Sequence, residues 1–159
     1  MNSGNANLEM QEHFLYPSNV YASNQETEVT TILGSCISVC LYDEKNKIGG
    51  INHFMLPFWN GVGLASPKYG NVAMKQLLNK LLELGAEEQH LVAKVFGGAN
   101  VIEIDNYIGL RNYILAASRL KRMKIKIVAE SVGGERGRKL LFNTKTGVVK
   151  MKLVKKSVD

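Results

Sequence analysis

The stretch GSCISVCLYDEKNKIGGINHFMLP, residues Gly34–Pro57, decides how the rest of the chain is read. From Cys36 to Tyr42 it is rich in β-branched and aromatic residues, as a strand is. Asp43-Glu44-Lys45-Asn46 then supplies turn-forming residues. Gly49 to Leu56 resumes as a second strand, which Pro57 closes. The two strands are expected to form an antiparallel hairpin. With the turn centred between Glu44 and Lys45, Cys36 faces His53 across the ladder, where opposed Cβ atoms lie about 4.5–5.5 Å apart. A slip of one residue would put the two on opposite faces, so the pairing depends on the turn.

Outward from the hairpin, the pattern is a mixture of strands and helices. Residues 1–12 read as a loose, flexible N-terminal tail rich in Asn, Ser and Gly, and 13–159 as a single domain. A short strand is expected near Val20 to Ser23. After a loop with Gly61, Gly63 and Pro67, Val72, Ala73, Leu77, Leu78, Leu81 and Leu82 recur at helical spacing, with the four leucines as core and Gly85 as the stop. Leu91 to Phe96 reads as a buried strand that ends at Gly97-Gly98. Asp105 or Asn106 is placed to cap a second helix with Ile108, Tyr113, Ile114, Ala117 and Leu120 on its apolar face. A strand follows at Ile125 to Glu130, and Leu140–Phe142 with Val148–Leu153 reads as a final hairpin. Strands interrupted by two main helices define an α/β or α+β domain with two possible βαβ crossovers.

Composition narrows the class of function. The chain has 159 residues, 45% apolar and 21% charged, as expected of a globular protein with a sizeable core. No run approaches the roughly 20 apolar residues that cross a bilayer, so no membrane insertion is expected. Met1 to Asn19 lacks the pattern of a secretion signal. Two cysteines, Cys36 and Cys40, do not make a disulfide framework, which points to a reduced, cytoplasmic protein. The net charge of +6 comes largely from Arg119–Lys126 and Arg136–Lys156. Lys150 and Lys152 alternate with Met151 and Leu153 as on the wet face of a strand. No RNA-binding aromatic signature or zinc-finger spacing accompanies them, so an acidic protein partner suits these charges at least as well as nucleic acid.

The chemistry that stands out is the thiol and the imidazole. A cysteine attacks as thiolate, and a nearby histidine can take its proton. Leu33-Gly34-Ser35 just before Cys36 allows a sharp bend, leaving backbone N–H groups free to face a developing oxyanion. Thr30 or Thr31 can offer a hydroxyl to the far imidazole nitrogen and orient the ring. Taken alone, one Cys and one His in an apolar strand pair are ordinarily core residues. Cys40, on the same face as Cys36, reads as a packed core thiol. Cys36, Cys40 and His53 lack a fourth ligand for a metal site, and His13 and His90 lie in surface segments.

These blocks together resemble the CheD family of chemoreceptor glutamine deamidases. The resemblance rests on Leu33–Cys36, Val39–Asp43 and Gly49–Pro57. It continues through Tyr69–Met74, Lys94–Asn100, Ile108–Asn112 and Gly133–Arg138, in the family's order. It implies a layered α/β/β sandwich with mixed sheets, catalytic Cys36 and His53, and Thr30, six positions before the cysteine, as the orienting hydroxyl. Thr31 takes that place if the local register differs. It further implies conversion of receptor glutamines to glutamates through a thioester, with no cofactor and no metal. The resemblance also allows hydrolysis of glutamyl methyl esters by the same thioester route. The implied partners are methyl-accepting chemotaxis receptors and, where present, a CheC-type phosphatase. Pro17-Ser18-Asn19-Val20 departs from the glycine and acidic residue of many relatives.

The remaining motifs admit plainer readings. Phe96-Gly97-Gly98-Ala99-Asn100 lacks a complete phosphate-binding pattern and reads as a tight turn. In the family context Gly97 and Gly98, with Gly34 and Ser35, would line the substrate cleft or oxyanion site. Gly133 to Arg138 reads as a flexible turn with solvated Arg136 and Arg138 available to a receptor surface. Two rival functions follow from the same residues: a regulatory module that binds the CheC-type phosphatase, and a basic nucleic-acid-binding domain.

Overall fold

The computed structural model describes residues 10–100 and 107–154. Two mixed sheets and two helices stack as an α/β/β sandwich. The first sheet contains β1 (Gln11–Phe14), β3 (Thr27–Leu33), β8 (Arg138–Asn143) and β9 (Val149–Leu153), in the order β1-β3-β8-β9. The second contains β2 (Val20–Ser23), β5 (Ile48–Asn52), β4 (Ile37–Asp43), β6 (Leu91–Gly97) and β7 (Lys126–Val132), in the order β2-β5-β4-β6-β7. Helices α1 (Gly70–Glu83) and α2 (Ile108–Met123) cover the outer face of the second sheet. β6 and β7 pair in parallel around α2, one of the two expected crossovers. β5 and β6 flank β4, each antiparallel to it, so the crossover through α1 skips one strand.

β4 lies at the centre, and every one of its residues is buried. Ile37, Val39 and Leu41 pack under the helices with Leu77, Leu81, Ala116 and Leu120. The opposite face, with Cys40, meets Leu33, Leu140 and Phe142 of the first sheet. Each fully buried Leu or Phe contributes about 1.5–3 kcal/mol relative to exposure, so β4 anchors both layers. In β3 the alternation is clean: Thr27, Val29, Thr31 and Leu33 point into the inter-sheet layer, while Glu28, Thr30 and Ile32 point outward.

Several expectations need correction. The hairpin turn is centred one residue later than read, because Leu41 pairs with Gly50 and Asp43 with Ile48. The Asp43 carboxylate accepts from the Asn46 backbone and side chain. Lys47 takes up a left-handed conformation at φ 58° and donates its N–H to the Asp43 carbonyl, so all of residues 44–47 form the turn. The register thereby moves by two residues, with Ile37 opposite Phe54, Cys36 opposite Met55 and His53 opposite Ser38. A two-residue shift preserves the face, so Cys36 and His53 stay on the same side as diagonal neighbours.

The N-terminal tail gives way sooner than expected, since β1 begins at Gln11. In α1, Ala73, Met74, Leu77 and Leu81 are buried, but Leu82 is exposed. α2 is rotated from the expected face, burying Gly109, Asn112, Ala116 and Leu120 and leaving Ile114 55% exposed. Its N-cap position is Tyr107, and Asp105 and Asn106 lie outside the described residues. In β9, an edge strand, Met151 and Leu153 are exposed beside Lys150 and Lys152.

Candidate active site

Three strands bring the candidate residues to one end of the inter-sheet layer. β3 carries Thr31, Cys36 stands just before β4, and His53 follows β5. Thr31 and His53 are buried, at 0% and 1% exposure, and Cys36 is half-buried. The Thr31 hydroxyl lies 2.8 Å from His53 Nδ1. It also donates to the carbonyl of Leu15 at 2.8 Å. A hydroxyl has one proton, and a carbonyl only accepts. With its proton on Leu15, Thr31 must accept from Nδ1–H, which leaves Nε2 unprotonated in the neutral ring.

Of the two threonines the sequence left open, the one whose hydroxyl reaches the His53 ring is Thr31. Thr30 sits on the outward face of β3, and its carbonyl accepts from the Leu15 N–H at 2.8 Å. The backbone of His53 is held as well. Its carbonyl accepts from Ser18 N–H at 2.8 Å, and its N–H donates to Asn19 at 3.2 Å. Ser18 and Asn19 thus continue the β2–β5 pairing and brace the histidine.

Burial dominates the electrostatics. It lowers the pKa of His53 to about 4. It raises Cys36 to about 11, partly opposed by the backbone N–H of Cys36 itself. At neutral pH the resting pair is thus a neutral thiol and a neutral imidazole. Cys40 is fully buried, and desolvation raises its pKa further still, in keeping with a core thiol.

The loops around Cys36 are pinned at every carbonyl. Ala99 N–H donates to Gly34 at 3.0 Å, and Gly98 N–H donates to Cys36 at 2.8 Å. Asn112 Nδ2 donates to Ser35 at 3.1 Å. Gly97 has φ +109°, and a Cβ there would collide with the Cys36 carbonyl. The expected substrate-loop glycines Gly97 and Gly98 therefore back directly onto the main chain of Cys36. Gly98 also lines a cavity of about 140 Å³ with Asn100 and Tyr107.

Arg138 is no solvated charge. It is 5% exposed, and its guanidinium donates to Ser131 Oγ at 3.1 Å, Gly97 O at 3.3 Å and Gly133 O at 2.9 Å. Arg136 is exposed and donates to Val154 O at 2.9 Å. Among the described residues, Asp43, Glu87 and His90 stand close enough to share a cation. The Asp43 carboxylate is already engaged by Asn46 and by the Glu87 N–H, and it lies at the far end of β4 from Cys36. That cluster braces a turn.

Sequence reasoning missed Leu15, Ser38 and Asn112. Ser38 opposes His53 in the register, and its buried Oγ has no hydrogen-bond partner among the described residues. The alternation Thr27, Val29, Thr31, Leu33 was the signal that would have selected Thr31. The spacing Gly109, Asn112, Ala116, Leu120 would have placed Asn112 on the inner face of α2.

Fold and site together define a class, an α/β/β sandwich with a cysteine, a histidine and a threonine gathered at one end of its inter-sheet layer. The family model described as CheD chemotactic sensory transduction matches residues 55–153. A probable chemoreceptor glutamine deamidase CheD from Trichlorobacter lovleyi is 50% identical over 143 residues, 88% of this chain and 89% of that protein. One from Sulfurimonas denitrificans is 40% identical over 154 residues, covering 94% of this chain and 99% of its own length. One from Vibrio cholerae is 40% identical over 141 residues, 82% of this chain and 60% of that protein. This chain belongs to the CheD family. No helix among the described residues is long and apolar enough to cross a membrane.

Proposed function

We propose that this chain is a hydrolase that deamidates glutamine side chains of methyl-accepting chemoreceptors, with Cys36 as nucleophile, His53 as base and Thr31 as the hydroxyl that orients the ring. The observation that carries the reading is the Leu15–Thr31–His53 chain of hydrogen bonds, which directs an unprotonated Nε2 away from Thr31 while Cys36 shares the imidazole's face. The names of the relatives support the substrate.

With a thiol near 11 and an imidazole near 4, a preformed thiolate–imidazolium pair is strongly uphill. His53 Nε2 therefore takes the Sγ proton as the sulfur bonds to the carboxamide carbon. Backbone N–H groups of Ser35 and Cys36 receive the developing oxyanion. The imidazolium then protonates the departing nitrogen, releasing ammonia and leaving a thioester. His53 next deprotonates water, whose oxygen attacks the thioester carbon. Collapse expels the sulfur, which recovers the proton from His53 as the Cys36 thiol, and the glutamic acid formed gives up its proton to water. The same route would hydrolyse a glutamyl methyl ester, with methanol leaving in place of ammonia. The site of action is the cytoplasm, where the receptor's signalling domain lies.

The test is purified protein mixed with a receptor cytoplasmic fragment, with ammonia release and glutamine-to-glutamate conversion followed by peptide mass spectrometry. Wild type should convert the fragment, and Cys36→Ala and His53→Ala should not. Failure of folded wild type on several receptors would refute the deamidase reading. Binding to a CheC-type phosphatase that survives Cys36→Ala would then favour the regulatory role.

A further inference from the structure

We propose that Asn112 is a positioning residue that sets the spacing between Cys36 and His53 by bridging the two strands where their ladder ends. The role rests on the proposed Cys36–His53 chemistry. The last backbone rung between the segments is Ile37 with Phe54, bonded in both directions at 3.1 and 3.0 Å. Beyond it the second segment peels away, because the N–H groups of Met55 and Leu56 donate instead to Lys68 at 2.9 and 3.1 Å. Cys36 stands in the resulting fork. Asn112 closes the fork with one amide, Nδ2 donating to Ser35 O at 3.1 Å and to Met55 O at 3.0 Å. One acceptor directly precedes the nucleophile, and the other follows the base by two residues.

The approach of α2 that permits this is built into its sequence. Gly109, one turn before Asn112, lies where a Cβ would come within 2.7 Å of the Ala99 carbonyl, so only glycine lets the helix seat this closely. Asn112 is 0% exposed, and its Oδ1 has no hydrogen-bond partner among the described residues. With its oxygen unused, the buried amide acts through its two donor hydrogens alone, at the cost of an orphaned acceptor that an apolar side chain would avoid.

The experiment compares wild type, Asn112→Ala and His53→Ala by two readouts. Iodoacetamide labelling of Cys36 is followed from about pH 3 to about pH 10, with peptide fragmentation separating Cys36 from Cys40. Steady-state deamidation supplies kcat and KM. In wild type, assistance by neutral His53 should give a labelling plateau above about 4, before a second rise towards about 11. Asn112→Ala should lose the plateau as His53→Ala does, keep the upper rise, and lower kcat by about a hundredfold with KM within about threefold. A merely structural Asn112 would lower the melting temperature and leave the plateau and kcat intact below it, which would overturn the proposal. Should Asn112→Ala fail to fold, Asn112→Ser keeps one donor and should show a partial loss of the plateau; an unchanged plateau there is equally fatal. Labelling needs no receptor. A wild type that shows the plateau but deamidates nothing would therefore refute the function while leaving the positioning role standing or falling on Asn112 alone.

Discussion

Thr31 accepts a hydrogen bond from His53 across the gap between the two sheets, 2.8 Å from Oγ1 to Nδ1, and its own proton is committed to Leu15. One hydroxyl thus links three segments distant in sequence and selects the tautomer of a buried imidazole. Its effect on catalysis would be exerted wholly through the ring.

Replacing that hydroxyl should therefore act on turnover. Thr31→Val keeps the volume but removes the acceptor for Nδ1–H, and deamidation should fall by about a hundredfold. Thr31→Ser should stay close to wild type, as should Thr30→Val on the outward face of β3. A loss confined to the Thr30 variant in an ammonia-release assay would reverse the assignment.

Acid should destabilise the fold through His53. Its folded pKa of about 4 lies below the unfolded value of 6.5, so the unfolded chain binds the proton first. Stability is fully present above about 6.5 and is lost as pH falls through about 4, by an amount on the order of 3 kcal/mol. Cys36 works at the other limb, where stability should fall as pH rises from 9.0 towards about 11. Urea unfolding at a series of pH values would show both limbs, and His53→Gln should flatten the acid one.

Arg138 ties the end of β6 at Gly97 to the end of β7 at Ser131 and Gly133, so Arg138→Ala should cost about 3 kcal/mol by leaving buried carbonyls without a donor. For a chain of this size that lowers the melting temperature by roughly 10 °C. Arg138→Lys should recover little, because an ammonium cannot reproduce the planar geometry. Thermal unfolding of the two variants tests this directly.

Gly97→Ala should damage the site from behind. The new methyl group would meet the Cys36 carbonyl, and a φ of +109° is strained for any residue with a Cβ. If Cys36 is the nucleophile proposed above, deamidation should drop by about a hundredfold, because displacing its backbone spoils the attack geometry. An alanine variant with wild-type turnover and an unaltered Cys36 labelling profile would remove Gly97 from the site.

Much of this protein could be read from local pattern. The hairpin residues of Gly34–Pro57, the α1 stripe, the Leu91–Phe96 strand and the last hairpin all follow from periodicity and turn chemistry, since short-range sterics and alternation govern them. The common face of Cys36 and His53 was legible for the same reason, though not their direct opposition: a two-residue error in the register leaves the face unchanged.

What the amino-acid order determined by itself was the kinds of elements, the common face of thiol and imidazole, and the motif blocks of the family. The tertiary structure alone brought Thr31, and not Thr30, within reach of His53, because β3 meets His53 only when the two sheets stack and one face of the strand turns inward. It also placed the Leu15 carbonyl that orients the hydroxyl, the Asn112 amide across the fork, and the buried Arg138 that sequence would leave in solvent. Each is a contact between residues far apart in the chain. Local pattern cannot carry such contacts, because they depend on which surfaces become neighbours when the layers pack.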